Sequence, residues 1–247
     1  LRGAGAKTSE FCGYTSSTVA ASICGLVHSD QVVDHLVAQQ EGFVTLDKTV
    51  FYAEGGGQVG DCGQLFIGDK IVFEVTQTSC QENIIFHHGR ALVDLELGQT
   101  VTAAYDQSAR QATQAHHTAT HLLHAAMKQV VGVHVNQAGS KVSPVGLRFD
   151  YTHPEPLGAA TLLSIEQLVN REILKSTPVE WRLASLDSAK AEGVTALFGE
   201  KYGAEVRIVD VPGFSKELCG GTHARQTGDI GLFKITAEYG VARGVRR

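Results

Sequence analysis

The sequence predicts an α+β protein: a small N-terminal β-barrel over residues 1–105, then an α/β two-layer sandwich over 106–247. Three observations carry that prediction. The first part holds short runs rich in Val, Ile and Phe, bounded by Gly, Asp, Ser and Asn. One long helix-forming stretch runs from Tyr105 to Gly132, and helix-like and strand-like segments alternate after it. Short strands between turn residues read as a barrel, and alternation of the two element types reads as helices packed on a mostly antiparallel sheet.

In the first part the strand-like runs are Thr18–Cys24, Gln31–Val37, Gly42–Leu46, Gln64–Ile67, Ile71–Val75 and Ala91–Leu95. Among them lies Phe51-Tyr52-Ala53-Glu54-Gly55-Gly56-Gly57-Gln58-Val59-Gly60-Asp61. Gly55, Gly57 and Gly60 match G-x-G-x-x-G formally, but a strand-like segment follows, and a dinucleotide site needs a helix there. There is also no Gly-Lys-Ser/Thr for a phosphate loop. Two readings stay open: a tight bend in the barrel, or a place where a ligand or backbone comes close.

The long stretch reads as one helix, with Asp106 capping its first turn and Gly132 ending it. Ala112, Ala115, Ala119, Leu122, Leu123, Ala126 and Val130 form an apolar stripe, and His117, His121 and His124 fall on the other side. Imidazoles four residues apart lie one turn apart on one face, where they can hold a metal ion or simply face solvent. Thr118 stands where an H-E-x-x-H protease would carry its glutamate base, so that chemistry is excluded.

Beyond the helix, 133–142 and 147–151 alternate as strands joined through Ser143-Pro144-Val145-Gly146. Asp150 has three options on that strand: solvent, Arg148 or a site. Leu162–Lys175 reads as a helix stopped before Pro178, Val179–Leu183 as a strand, Ser188–Leu197 as a helix, and Glu205–Val209 and Ile230–Ala237 as strands. Between the last two, Cys219-Gly220-Gly221-Thr222-His223 places a thiol and an imidazole four residues apart in a Gly-rich loop. Two helical imidazoles, His117 and His121, with Cys219 and His223 make a tetrahedral His3Cys set that suits Zn2+.

Composition bounds the rest. The chain has 247 residues, 43% hydrophobic, with 27 glycines, which fits a globular protein rich in turns. No apolar run is long enough to span a membrane. Five cysteines without a C-x-x-C pair favour reduced thiols over a disulfide framework, hence an intracellular, cytoplasmic setting. The net charge of −5 argues against indiscriminate nucleic-acid binding. Residues 1–108 carry five basic and thirteen acidic groups, whereas 109–247 carry sixteen and thirteen. A polyanion is therefore expected on the second part, where Arg225, Lys234, Arg243, Arg246 and Arg247 accumulate.

HTATH at 117–121 with CGGTH at 219–223 resembles the metal-binding pairs of the alanyl-tRNA synthetase editing domain and of free-standing AlaX-type deacylases. The likeness extends to FYAEGGGQVGD at 51–61, THLLHAAMK at 120–128, RFDY at 148–151, ALFGEKYG at 196–203 and GDIGLFKI at 228–235. The threonyl-tRNA synthetase editing domain shares the metal pairs but not the Gly-rich motif. The resemblance implies hydrolysis of tRNA(Ala) mischarged with serine, and with glycine, by a piece of a larger synthetase whose other domains lie outside this chain. It implies zinc at His117, His121, Cys219 and His223, and an editing role for Gln137. Thr120 is expected to read the seryl hydroxyl, with Gly56, Gly57 and Gln58 at the substrate. Ala138 stands where that family commonly carries lysine.

Zinc would polarise the ester or the attacking water. The sequence shows no carboxylate beside the histidines, which leaves a hydroxyl of the terminal ribose, or the metal site itself, to supply the base. Four protein ligands close a zinc shell, whereas catalytic zinc keeps a position open. A non-catalytic, zinc-stapled module that holds the tRNA acceptor end is the alternative from a different class.

Overall fold

A computed structural model describes residues 8–196 and 203–247. The chain forms two compact units: residues 1–55 with 59–110, and residues 56–58 with 111–247.

The first unit is a closed six-stranded antiparallel barrel. Its strands are β1 Thr18–His28, β3 Glu41–Leu46, β4 Gly63–Ile67, β5 Lys70–Gln81, β6 Ile84–Ala91 and β7 Thr100–Tyr105, and β2 Gln31–Val33 hairpins onto β1. The barrel order is β7-β4-β5-β6-β3-β1, and pairing of β7 with β1 closes it. Alternate residues such as Val101 and Ala103 on β7 face a core that includes Leu26, Val44, Leu46, Leu65, Phe73 and Leu95. Register breaks at Ile23/Gly25, Leu65/Phe66 and Val75/Gln77 bend the strands enough to close the ring.

Two of these strands escape the sequence reading, which expected Ala91–Leu95 instead. β6 follows Glu82-Asn83, both with positive φ (52° and 64°), a tight hairpin turn that lacks the usual Asn-Gly signal. β7 carries Ala103 and Ala104 in place of β-branched residues. The run expected over Gln31–Val37 is two short strands, Gln31–Val33 and His35–Leu36.

A buried ion pair ties the end of the Gly-rich motif into this unit. Arg110 donates through Nε and Nη2 to Asp61 and through Nη1 and Nη2 to the carbonyls of Gly13 and Val50. Its guanidinium carbon lies 3.8 Å from the Tyr105 ring centroid. Asp61 also accepts from the Tyr52 backbone N–H at 2.6 Å.

Helix α1 runs Gln107–Val130. Asp106 caps it, accepting from the Ala109 N–H at 3.0 Å, and Gly132 follows its last turn with φ 138°. In the second unit two antiparallel sheets flank the helix, where the sequence suggested one. The four-stranded sheet contains β8 Gln137–Ser143, β9 Gly146–Thr152, β13 Gly240–Ala242 and β14 Val245–Arg246. The three-stranded sheet contains β10 Glu180–Ser185, β11 Glu205–Val211 and β12 Ser215–Leu218. Helices α2 Ala159–Leu174 and α3 Leu186–Ala191 complete the unit.

Ala119, Leu122, Leu123, Ala126 and Met127 of α1 share a core with Phe149, Tyr151, Ile165, Val169, Ile173, Val211 and Phe233. The opposite side of α1 is also covered, so His117, His121 and His124 are buried where a solvated face was one expectation. The segment expected as a strand over Ile230–Ala237 has no neighbouring strand among the described residues. Side chains of α2 take that place: Asn170 donates to the Phe233 carbonyl at 2.8 Å and accepts from its N–H at 2.9 Å, and Glu166 accepts from the Ile235 N–H at 3.0 Å. The expected helix over Ser188–Leu197 is the shorter α3, and its far end, like most of the 196–203 motif, lies outside the described residues. No helix among the described residues is long and apolar enough to cross a membrane, and no two of the cysteines there form a disulfide.

Candidate metal centre

His117 and His121 project one helical turn apart, with ring centroids at 5.4 Å. The loop leaving β12 brings Cys219 and His223 to them. Cys219 Sγ lies 3.4 Å from His117 Nε2 and 3.3 Å from His223 Nε2, and the four donor atoms all lie within 4.8 Å of one another. Tetrahedral zinc with bonds of about 2.0–2.3 Å needs donors roughly 3.3–3.6 Å apart, which the two distances from Cys219 Sγ match, and the group as a whole could hold a metal ion.

The far side of the imidazoles shows how the site is held. His117 Nδ1–H donates to Gln58 Oε1 at 2.7 Å, which fixes the tautomer and turns Nε2 toward the thiol. Gln58 in turn donates from Nε2 to Thr222 Oγ1 and accepts from the Thr222 N–H, both at 2.9 Å. His223 Nδ1 sits 3.2 Å from Thr118 Oγ1, which also accepts from the Ala224 N–H at 3.0 Å. Thr118, at the position of the missing protease glutamate, thus anchors the loop that carries Cys219 and His223. Partners of this kind orient ligands and raise their basicity. Gly221 is required by space, because a Cβ there would stand 2.1 Å from His117 Cε1.

A carboxylate does accompany the histidines, contrary to the sequence reading. Glu217, buried at 5% exposure, accepts from His124 Nδ1 at 2.9 Å and lies 3.9 Å from His121 Nδ1. It sits two residues before Cys219 on β12, 93 residues from His124 in sequence. His124 is therefore committed to Glu217, leaving His117 and His121 as the helix's contribution to the cluster. Arg207 on β11 fixes the loop from behind, donating from Nη1 to the carbonyls of Cys219 (3.1 Å) and Gly221 (2.7 Å).

Burial pushes the His117 and His223 pKa values well below the ordinary histidine range, and neighbouring imidazoles and Arg207 push the same way. His121 is lowered by burial, with Glu217 acting in opposition. Burial would raise Glu217, but His121, His124 and Lys128 together hold it below its usual value. Neutral imidazoles are the form that binds metal.

The remaining residues singled out in the sequence fall around this core. Gln58, expected at the substrate, is fully buried, with its amide bonded to His117 and Thr222. Gly57 presses on Ser140, where a Cβ would sit 2.3 Å from the hydroxyl, and its carbonyl accepts from the Val142 N–H at 2.8 Å. Gln137 meets the same serine, donating to its Oγ at 3.3 Å. Gly56 has φ 58° and open space where a side chain would be. Thr120 is buried, its hydroxyl donating to the His116 carbonyl at 2.8 Å. Asp150 is bonded through both oxygens to Arg247, at 2.7 and 3.0 Å. Of the basic cluster, Lys234 pairs with Glu166 and Arg246 with Glu238.

Residues 3–109 match the family model described as tRNA synthetases class II (A). Residues 206–247 match that of the threonyl and alanyl tRNA synthetase second additional domain. Among similar proteins, the alanine–tRNA ligase of Pseudomonas fluorescens is 49% identical over 240 residues, covering 96% of this chain and 27% of the ligase. That of Methylococcus capsulatus is 50% identical, covering 96% of this chain and 28% of the ligase. That of Legionella pneumophila is 48% identical, covering 97% and 28%. The chain spans just over a quarter of these relatives' length, and over nearly all of its own length it is similar to that part of the alanine–tRNA ligases.

Proposed function

We propose that this chain is an editing domain that hydrolyses Ser-tRNA(Ala), and Gly-tRNA(Ala), at the His117–His121–Cys219–His223 centre with Zn2+ as its metal. The observation that carries the reading is the convergence of four donors from a helix and a distant loop, two of their imidazoles turned inward by Gln58 and Thr118. The need is physical: an alanine pocket cannot reject glycine by size and excludes one small hydroxyl poorly, so a second, hydrolytic site supplies the missing discrimination.

In the reaction, water adds to the aminoacyl carbonyl and the bond to the ribose oxygen breaks, releasing the amino acid and the tRNA hydroxyl. Bound zinc supplies Lewis-acid polarisation there. The protein's own part is positional. Gln58, Thr118 and Arg207 hold the ligands and their loop, while burial keeps the imidazoles neutral. Gly56, with nothing crowding it, lets the acyl end approach backbone, Gly57 packs the motif against Ser140, and Gln137 beside Ser140 holds the acyl end there. Thr120 acts by packing its helix turn, because its hydroxyl is committed to His116.

The test is incubation of the chain with Ser-, Gly- and Ala-tRNA(Ala), with and without chelator. Loss of the seryl and glycyl esters, sparing of the alanyl ester, and arrest by chelator are expected. Tight tRNA binding without turnover of any ester would instead make the chain a zinc-stapled holder of the acceptor end.

A further inference from the structure

We propose that Trp181 is the platform on which the terminal adenine of the aminoacylated acceptor end stacks, an inference that rests on the editing reading above. The argument begins with register. Trp181 on β10 pairs with Val209 on β11, and Val209 pairs with Glu217 on β12. Residues directly opposite one another in antiparallel strands point to the same face. The three side chains therefore form one row across the sheet. Its inner end is Glu217, against the histidines of α1, and its outer end is the indole. Two strand spacings make that row roughly 10 Å long, the length scale of one aminoacyl nucleoside.

The neighbouring row supports the same placement. Arg207 pairs with Leu183, so both stand on the Trp181 face. The Arg207 guanidinium carbon lies 4.8 Å from the Trp181 ring centroid, and the same guanidinium donates to the carbonyls of Cys219 and Gly221. One side chain thus links the indole to the loop that carries two metal ligands. The opposite face of the sheet is occupied differently. Ala184, Val206, Ile208 and Leu218 pack there with Ala189 of α3.

Trp181 is 45% exposed and Leu183 55% exposed. Leaving large apolar side chains at the rim of a polar, buried centre forfeits hydrophobic stabilisation. A flat aromatic surface at that point suits a purine, since base–aromatic stacking does not depend on hydrogen-bond readout. A cation packed on the ring adds electrostatic attraction and holds the indole in place. The aminoacyl end of every tRNA substrate carries the same terminal adenosine. The platform therefore adds affinity for the acceptor end in general, while discrimination between amino acids stays with the metal centre.

The chain contains a single tryptophan, so its intrinsic fluorescence reports on this position alone. The probe is 3′-serylamino-3′-deoxyadenosine, whose amide replaces the hydrolysable ester, titrated into the zinc-loaded chain alongside calorimetry. Binding is expected to quench and shift the emission. Trp181→Ala should raise KM for Ser-tRNA(Ala) about tenfold, with kcat and zinc content little changed, and Trp181→Phe should restore most of the loss. Calorimetric binding of the probe without an emission change, or an unaltered KM in Trp181→Ala, overturns the stacking role while leaving the deacylase reading intact. A wild-type chain that turns over no mischarged ester overturns both.

Discussion

Gln58 Oε1 accepts a 2.7 Å hydrogen bond from His117 Nδ1, a contact that joins the Gly-rich motif to the candidate metal ligands across 59 residues of sequence. The same amide holds Thr222, so one side chain aligns the helical ligand with the ligand loop. Gln58→Ala should lower zinc affinity by roughly 10- to 100-fold, measured by competition with a chromogenic chelator. Unchanged affinity would remove Gln58 from the site.

Gly221→Ala tests the tightness of the loop. Its methyl group would lie 2.1 Å from His117 Cε1 and 2.9 Å from Gln58 Oε1. The loop must move, separating Cys219 from His117. Zinc content well below one per chain is expected, with folding retained. Full stoichiometry in this variant would contradict the described packing.

The Arg110–Asp61 pair should dominate the stability of the first unit. Arg110→Met leaves the Asp61 carboxylate buried without its cation, at a cost of about 3–5 kcal/mol, and strips donors from Gly13 and Val50. Adding Asp61→Asn should recover part of that loss. Urea unfolding of the two variants measures both numbers, and a double variant no more stable than the single one would argue against charge burial as the cause.

The sequence makes some of this architecture legible and hides the rest for definite reasons. The α1 boundaries follow from Asp106 and Gly132, and the four candidate ligands stand out because thiols and imidazoles recur at spacings of four. The first part reads as strands because Val, Ile and Phe cluster between turns. β6 stays hidden because Glu82 and Asn83 adopt a left-handed turn without glycine. Segment 230–237 reads as a strand from its composition, yet α2 side chains satisfy its backbone, which no local pattern reveals. Gln58 and Glu217 are site residues only through tertiary contacts, and no spacing links either of them to the histidine they touch.

His87 gives a pH prediction that does not involve the metal. It is fully buried in the barrel, Nδ1–H donating to the Val44 carbonyl at 2.9 Å and Nε2 accepting from Thr49 at 2.7 Å. Burial lowers its pKa to about 4. The unfolded chain, near 6.5, binds the proton more readily, so this contribution is intact above 6.5 and is lost as pH falls toward 4. The loss reaches roughly 3 kcal/mol. Urea unfolding from pH 7 to 4 should show that slope, and His87→Leu should flatten it. An equal slope in both proteins would assign the acid sensitivity elsewhere.

X-ray absorption at the zinc edge of the reconstituted chain reaches the centre directly. One sulfur scatterer near 2.3 Å with three imidazole nitrogens near 2.0–2.1 Å is expected, and in Cys219→Ala the sulfur shell should vanish together with deacylation of Ser-tRNA(Ala). A first shell without sulfur in the wild-type chain, or undiminished deacylation in Cys219→Ala, would contradict the assignment of this cluster as the hydrolytic centre.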